Sequence, residues 1–580
     1  MDRRALLLGA AAAGLTFWTG DARAAPFASR RIAVTVRGTG RDVLLIPGLA
    51  SGPGIWNRVL AANPAGPRIT YYDDATGERI ELSSVTLANW AAKTGNLLRD
   101  ELGATAGSRV AVLLPQRPET LVAHIAGYRA GLIVMPLAQL FGPDALEYRL
   151  SDSGARAIVT DSVSCEKLTQ IRDSLPDLQL VLSVDGPADD GAGGALDFHA
   201  ELERAKDSFA PVDTANGDPA LLIYTSGTTG NPKGALLPHR TMIGHVPGVD
   251  FIFDFLPQPG DVMWTNADWA WIGALMDSAM PALYHGIPQV VNPSARFDPE
   301  AVFDLLDRYG VRCAFIPPTG LKVMRQVENP RGRYNYDLRT MFSGGEALGT
   351  SLMDWGREQL GVTINEAYGQ TECNVIVGCC ATIMTPPDGS MGRASPGHTL
   401  RIMDEDANIQ AAGDLGTICV KAPDPVMFLE YWNNPEATEE KFLTDENGDR
   451  WLDTGDKATM DDEGWIYFVG RADDVINSAG YRIGPAEVEN SLLTHPAVQM
   501  SAVIGLPDEA RGEMVKAYVI LKDGQTPSDA LAGEIQNHVK TRLAAHEYPR
   551  AVEFVDALPM TTTGKIQRMV LREQEAAKES

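Results

Sequence analysis

Between residues 108 and 137 three stretches follow in order: SRVAVLLP, ETLVAHIAGYRAG and LIVMPL. A continuous apolar run, a run with helical periodicity and a second continuous apolar run spell strand, helix, strand. Such a crossover joins strands that pair in parallel, and a parallel sheet needs both faces covered. AIVTD and LQLVLSVD extend the series, so the fold class is α/β. Before it, ITYYDDATGERIELS reads as a hairpin turning at Asp74-Ala75-Thr76-Gly77, and LANWAAKTGNLLRDEL as a helix. GPADDGAGGALD, residues 186–197, reads as a flexible surface loop.

At 580 residues the chain exceeds what a single core sustains, so several domains are expected. Hydrophobic content of 44% and charged content of 22% are those of a soluble globular protein. The net charge of −26 argues against nucleic acid as a partner, because phosphate backbones select basic surfaces. None of the six cysteines falls in a CxxC pair, which excludes the usual zinc and disulfide frameworks; Cys379 and Cys380 are expected as inert buried thiols.

The first 24 residues carry Arg3-Arg4, an apolar stretch and Ala22-Arg23-Ala24, in the manner of a twin-arginine export signal. No segment reaches the length of a membrane span. Residues 1–57, with VLLIPG and its glycine-rich loop, resemble the front of an exported α/β-hydrolase. The Gly-x-Ser-x-Gly nucleophile elbow that such a hydrolase needs is missing. A secreted hydrolase is the reading from a different class, and a fused or misjoined frame explains the junction near residues 58–67 better.

Strand ALLIY leads into Thr225-Ser226-Gly227-Thr228-Thr229-Gly230-Asn231-Pro232-Lys233-Gly234. Glycines let backbone N–H groups approach phosphate oxygens, hydroxyls add donors and lysine adds charge. A Walker A loop would place Ser or Thr after its lysine; here Gly234 follows. Downstream come FSGGEAL (residues 342–348), AYGQTE (367–372), LDTGD (452–456), GRADD (470–474), SAGYRI (478–483) and TGKI (563–566).

These motifs, in this order, resemble the adenylate-forming superfamily over residues 63–575, and AYGQTE looks most like medium-chain acyl-CoA synthetases. The resemblance implies a large domain of two helix-flanked sheets and a distorted β-barrel at residues 63–473, the barrel including TLRIMD and GTICVKA. A small mobile α+β domain follows at 474–580, with helix PAEVENSLLTHP, strands SAVIGL and KAYVIL, and a helix near residues 530–545. Residues 25–62 form an atypical extension. By resemblance, Thr225, Ser226, Gly227, Thr228, Thr229, Gly230 and Lys233 hold ATP phosphates. Gly345, Glu346, Ala347, Tyr368 and Gln370 bind the nucleotide, with FSGGEAL lying along adenine and Tyr368 stacking on it; Asp456 holds the ribose hydroxyls, Arg471 takes ribose or phosphate, and Thr371 touches the α-phosphate. Glu372 holds Mg2+, the hard cation that prefers carboxylate oxygen.

Lys565 serves adenylation, Asp473 is the hinge, and Ser478, Gly480 and Arg482 lie along the coenzyme A entry. The implied reaction activates a carboxylic acid as acyl-AMP with release of pyrophosphate and then forms the CoA thioester. Because the nucleophile is already ionised near neutral pH, His239 and His245 are assigned to capping or packing rather than to acid–base work. Gly369 stands where acetyl-CoA synthetases carry a pocket-closing tryptophan, so Gly369 and Trp271 are expected to line an acyl pocket open to medium chains. Short-chain or aromatic acids, and a stand-alone adenylation enzyme, are the alternatives. ATP and CoA place the working enzyme in the cytoplasm, with small-molecule substrates, no stable membrane insertion and an oligomer open.

Overall fold

The computed structural model describes residues 67–73, 77–225, 232–293, 297–346, 348–471, 474–478, 481–508, 512–542, 548–561 and 565–579. The export-signal and hydrolase-like readings therefore lie outside the described residues. The chain divides into Met1–Leu49 and Ala50–Ser580, an earlier division than the change of character read at residue 63. All the described residues belong to the second unit. Within it the segment after residue 473 is not split off, because it packs against the rest.

The strand–helix–strand reading holds. Arg109–Leu113 and Ile133–Pro136 pair in parallel across helix Pro118–Arg129. Ala157–Thr160, Leu180–Ser183 and Leu196–Asp197 extend the sheet on one side. On the other side Pro219–Thr225, Lys233–Pro238 and Glu430–Tyr431 complete eight strands. Ile133, Val134 and Met135 are all buried, as a strand covered on both faces requires.

A second, nine-stranded sheet opens with the expected hairpin, Pro67–Tyr72 against Arg79–Ser83. The helix after it, Ser84–Leu102, starts where Ser83 accepts the Thr86 amide and stops at Gly103 in the left-handed region. Toward this sheet's far edge lie Thr340–Gly344 and Ile364–Gln370, which carry parts of the FSGGEAL and AYGQTE motifs, and Cys373–Gly378, which follows AYGQTE.

The expected distorted barrel is a five-stranded antiparallel sheet branching at the long strand Arg450–Met460. No pair among the described residues joins its ends, so it is open rather than closed. Residues 474–579 carry their own five-stranded sheet and the helices Pro485–Leu493, Asp529–Arg542 and Arg568–Glu579. The α/β plus α+β class is as read.

One local reading is corrected. The segment at 186–197 is no loose loop: buried Asp190 accepts amides from Ala192 and Gly194, and Ala188 bridges Ala195. A carboxylate that gathers its own turn's N–H groups organises glycine-rich chain that composition alone marks as flexible.

Candidate active site

The glycine–hydroxyl stretch starts and ends on two strands that pair antiparallel, Pro219–Thr225 and Lys233–Pro238. Thr225 ends one strand opposite Lys233, which starts the next, and Thr225 Oγ1 donates to the Lys233 carbonyl at 3.4 Å. Ser226, Gly227, Thr228, Thr229 and Gly230 lie outside the described residues. The Lys233 ammonium stands 5.4 Å from the centroid of the Tyr431 ring.

Three strand ends of the second sheet face this hairpin's motif partners. Thr340–Gly344 delivers Gly345 at φ +93°, a conformation that only glycine adopts without strain; a Cβ there would lie 3.7 Å from Lys565 Cε. Glu346 follows, accepting from Thr319 Oγ1 at 3.3 Å with Lys322 Nζ 3.8 Å away; Ala347 is outside the described residues. Strand Ile364–Gln370 delivers Tyr368 and Gln370, whose hydroxyl and amide both donate to Asp456 Oδ2, at 2.6 and 2.5 Å. Arg471 Nε approaches Asp456 Oδ1 at 3.4 Å. Burial pushes the Asp456 carboxyl above its ordinary range, and Arg471, Tyr368 and Gln370 pull it back. The Tyr368 phenol is pushed up, first by burial and then by Asp456.

Glu372 sits in the tight turn between the last two strands, buried, and Tyr431 donates to its Oε1 at 2.6 Å. Lys565 arrives from the other side of the cleft, its backbone clamped in a small turn by the Thr561 hydroxyl (3.0 Å) and the Thr561 amide (2.7 Å). Much of the residue is exposed, yet its ammonium lies far enough inside the cleft for desolvation to hold it below the ordinary lysine range. Glu346 and Asp456 oppose that shift, and Arg471 adds to it. The structure thus brings Gly345, Glu346, Asp456, Arg471 and Lys565 around one cleft.

The remaining sequence candidates distribute differently. Ser478 is buried on the strand Ile476–Ser478, away from solvent in this arrangement, and Arg482 lies on Tyr481–Ile483. Gly480 and the hinge residue Asp473 are outside the described residues. Trp269 is in the core, whereas Trp271 keeps some exposure and packs edge-on to Phe141 at 6.4 Å. The space expected beside Gly369 is absent. A Cβ there would lie 2.3 Å from the Val375 amide nitrogen, because the turn folds the next strand back over it. Gly369 is therefore a close-approach glycine, not an opening into a cavity.

His245 is fully buried, bonded through Nδ1 to the Thr241 carbonyl, and burial lowers its pKa to about 4. His239 starts the helix Arg240–Ile252 without a side-chain cap bond. All six cysteines are buried and free, and burial raises both Cys379 and Cys380 to about 12.

Sequence reasoning missed several residues that shape the cleft. Tyr431 grips Glu372, and Lys441 donates to the carbonyls of Asp453 (3.1 Å) and Thr454 (3.4 Å), bracing the turn before Asp456. Asp277, on a π-helical turn, receives Asn374 Nδ2 at 2.6 Å just behind Glu372. Only the π-turn, a frequent mark of functional sites, is a recognisable class of signal, and a π-turn is not legible in one sequence.

For Mg2+ the donor chemistry fits. Among the described residues no group of three or more His, Cys, Asp or Glu could hold an ion by itself, and Glu372 is a single buried carboxylate. One carboxylate completed by substrate phosphates and water is how proteins commonly hold Mg2+.

Fold and cleft define the class of the protein as adenylate-forming. The model described as AMP-binding enzyme matches residues 59–432, and that described as AMP-binding enzyme C-terminal domain matches residues 487–565. The chain belongs to the AMP-binding enzyme family. It is 37% identical over 519 residues to the mitochondrial acyl-coenzyme A synthetase ACSM4 of Mus musculus, covering 88% of this chain and 87% of that protein. It is 34% identical to the acetyl-coenzyme A synthetase of Bacillus subtilis, covering 87% and 86%. The anthranilate CoA ligase AuaEII, solved with anthranoyl-AMP, superposes with a TM-score of 0.81 at 28% identity, covering 92% of this chain and 99% of that one. The hydrolase resemblance of residues 1–57 is not borne out: the matched family is the AMP-binding one, beginning at residue 59. Among the described residues no helix is long and apolar enough to cross a membrane.

Proposed function

We infer that this member of the AMP-binding family is an AMP-forming acid–CoA ligase acting on medium-chain fatty acids. The observation that carries it is the convergence of Lys565 on the cleft of Gly345, Glu346, Asp456 and Arg471. The carboxylate oxygen of the acid attacks the α-phosphorus of ATP, the bond to the bridging oxygen breaks, and pyrophosphate leaves with the electron pair. Lys565, Thr371 and Lys233 would meet the negative charge as it builds, supplying preorganised cations and a hydroxyl donor. Glu372 would hold Mg2+, which when bound neutralises the phosphate oxygens. Asp456, oriented by Tyr368 and Gln370, accepts the ribose hydroxyls.

In the second step the CoA sulfur attacks the acyl carbon and AMP departs. The segment after residue 473 turns about Asp473, withdrawing Lys565 and bringing Ser478, Gly480 and Arg482 to the thiol; one cleft then serves two half-reactions. The buried position of Ser478 in the present arrangement accords with the first of them.

The medium-chain assignment is supported by the resemblance of AYGQTE to medium-chain acyl-CoA synthetases, and the likeness to ACSM4 accords with an acyl-coenzyme A synthetase. It does not rest on space at Gly369. Pyrophosphate release measured with acetate, butyrate, octanoate and benzoate tests it: octanoate should give the highest kcat/KM, and a preference for acetate or benzoate refutes the assignment. The need for ATP and CoA together makes the cytoplasm the proposed location.

A further inference from the structure

Tyr431 carries no motif that marks it as functional, yet it stands between the two charges that meet the phosphates. It lies on the short edge strand Glu430–Tyr431, which pairs antiparallel with the strand beginning at Lys233; Tyr431 sits opposite Ala235. Its amide donates to Thr438 Oγ1 at 2.9 Å, and its ring packs on Phe428 at 5.0 Å. The phenol is buried, and its hydroxyl donates to Glu372 Oε1. The face of the same ring carries the Lys233 ammonium. No ion pair between Lys233 and Glu372 occurs among the described residues, although both meet the same side chain.

We propose that Tyr431 is a positioning residue for metal and phosphate, resting on the reading of Glu372 as the Mg2+ ligand. Its hydroxyl fixes one carboxylate oxygen and leaves Oε2 as a single-oxygen ligand, the mode that suits a small octahedral ion. Its ring holds Lys233 on a π face, so lysine and carboxylate do not quench each other before the nucleotide arrives. Hydrogen-bond partners of metal ligands typically change metal affinity about 10-fold or more when removed.

Tyr431→Phe keeps the ring and removes the hydroxyl; Tyr431→Leu removes both. The readout is Mn2+ binding, followed by electron paramagnetic resonance in the presence of a non-hydrolysable ATP analogue, beside thermal melting and the affinity for metal-free analogue. Tyr431→Phe should weaken Mn2+ about 10-fold, lower the melting temperature modestly because a buried carboxylate oxygen loses its donor, and leave metal-free analogue affinity unchanged; Tyr431→Leu should weaken the analogue as well. If Tyr431→Phe binds Mn2+ like the wild type while Glu372→Gln loses it, the positioning role is overturned. If Glu372→Gln also binds Mn2+ normally, the metal reading falls first, and the proposal with it.

Discussion

Lys565 combines an exposed stem with an ammonium lowered in pKa by desolvation, between two carboxylates and a guanidinium. On the proposed mechanism a cation so placed acts while phosphate charge develops beside it, in the first half-reaction. Lys565→Ala should abolish acyl-AMP formation, read as pyrophosphate release, yet leave thioester formation from supplied acyl-AMP within a few-fold of wild type. Equal loss of both would remove the division of labour. Gly369 supports a second expectation at this scale. With the Val375 nitrogen 2.3 Å from the position of a Cβ, even Gly369→Ala must move backbone. Overpacking of this kind costs about 1–3 kcal/mol, so denaturant unfolding should show that loss together with weaker pyrophosphate release. An Ala variant as stable as wild type would mean the turn has slack the structure does not show.

At the scale of elements, the AYGQTE turn is held from behind. Val375 adopts φ +53°, unfavourable for a β-branched residue, immediately after Asn374 locks onto Asp277. Asp277 reaches Asn374 from the π-helical turn Leu275–Ala279, and burial keeps its carboxyl pKa well above the ordinary range. Both Asp277 oxygens accept from the Asn374 amide, at 2.6 and 2.7 Å, so what this contact asks of Asp277 is an acceptor oxygen. Asp277→Asn should therefore be tolerated, while Asp277→Ala leaves a buried amide unpaired at about 1–3 kcal/mol. Urea melts of the two variants decide this; equal destabilisation by both would show that the charge matters after all.

For the molecule as a whole, burial holds three histidines neutral. The pKa of His124 is lowered to about 3, and those of His239 and His245 to about 4. Unfolded, each titrates near 6.5. Between about pH 6.5 and 4 the unfolded chain thus binds more protons than the folded one, and stability falls as pH falls through that window. Each contributes on the order of 3 kcal/mol, against a total of about 5–15 kcal/mol for a typical domain, so acid unfolding should set in within the window. The slope of unfolding free energy against pH should drop by about 1.4 kcal/mol per pH unit in His124→Leu. An unchanged slope would show that His124 takes a proton in the fold. Within residues 474–579, Arg568 joins Glu489 (2.8 Å) and Asp474 (3.4 Å), and Arg572 joins Asp474 (3.0 Å), so these pairs tie that segment together internally.

What the sequence determined by itself was periodicity and local chemistry. Short continuous apolar runs between turn signals suit strands buried on both faces, and a bend of glycines and hydroxyls ending in lysine suits phosphate wherever it folds. Thr225 and Lys233 stand out for that reason, whereas Asp456 and Lys565 are reached only through the family resemblance. What only the tertiary structure decided was which distant side chains meet. Tyr431 lies 59 positions from Glu372 and Asp277 lies 97 from Asn374, and neither pairing leaves a local pattern. The supposed opening at Gly369 failed for the same cause: a missing side chain makes room only if no backbone claims it, and the returning strand does so here. Periodicity is a property of neighbours in sequence, while packing is settled by neighbours in space.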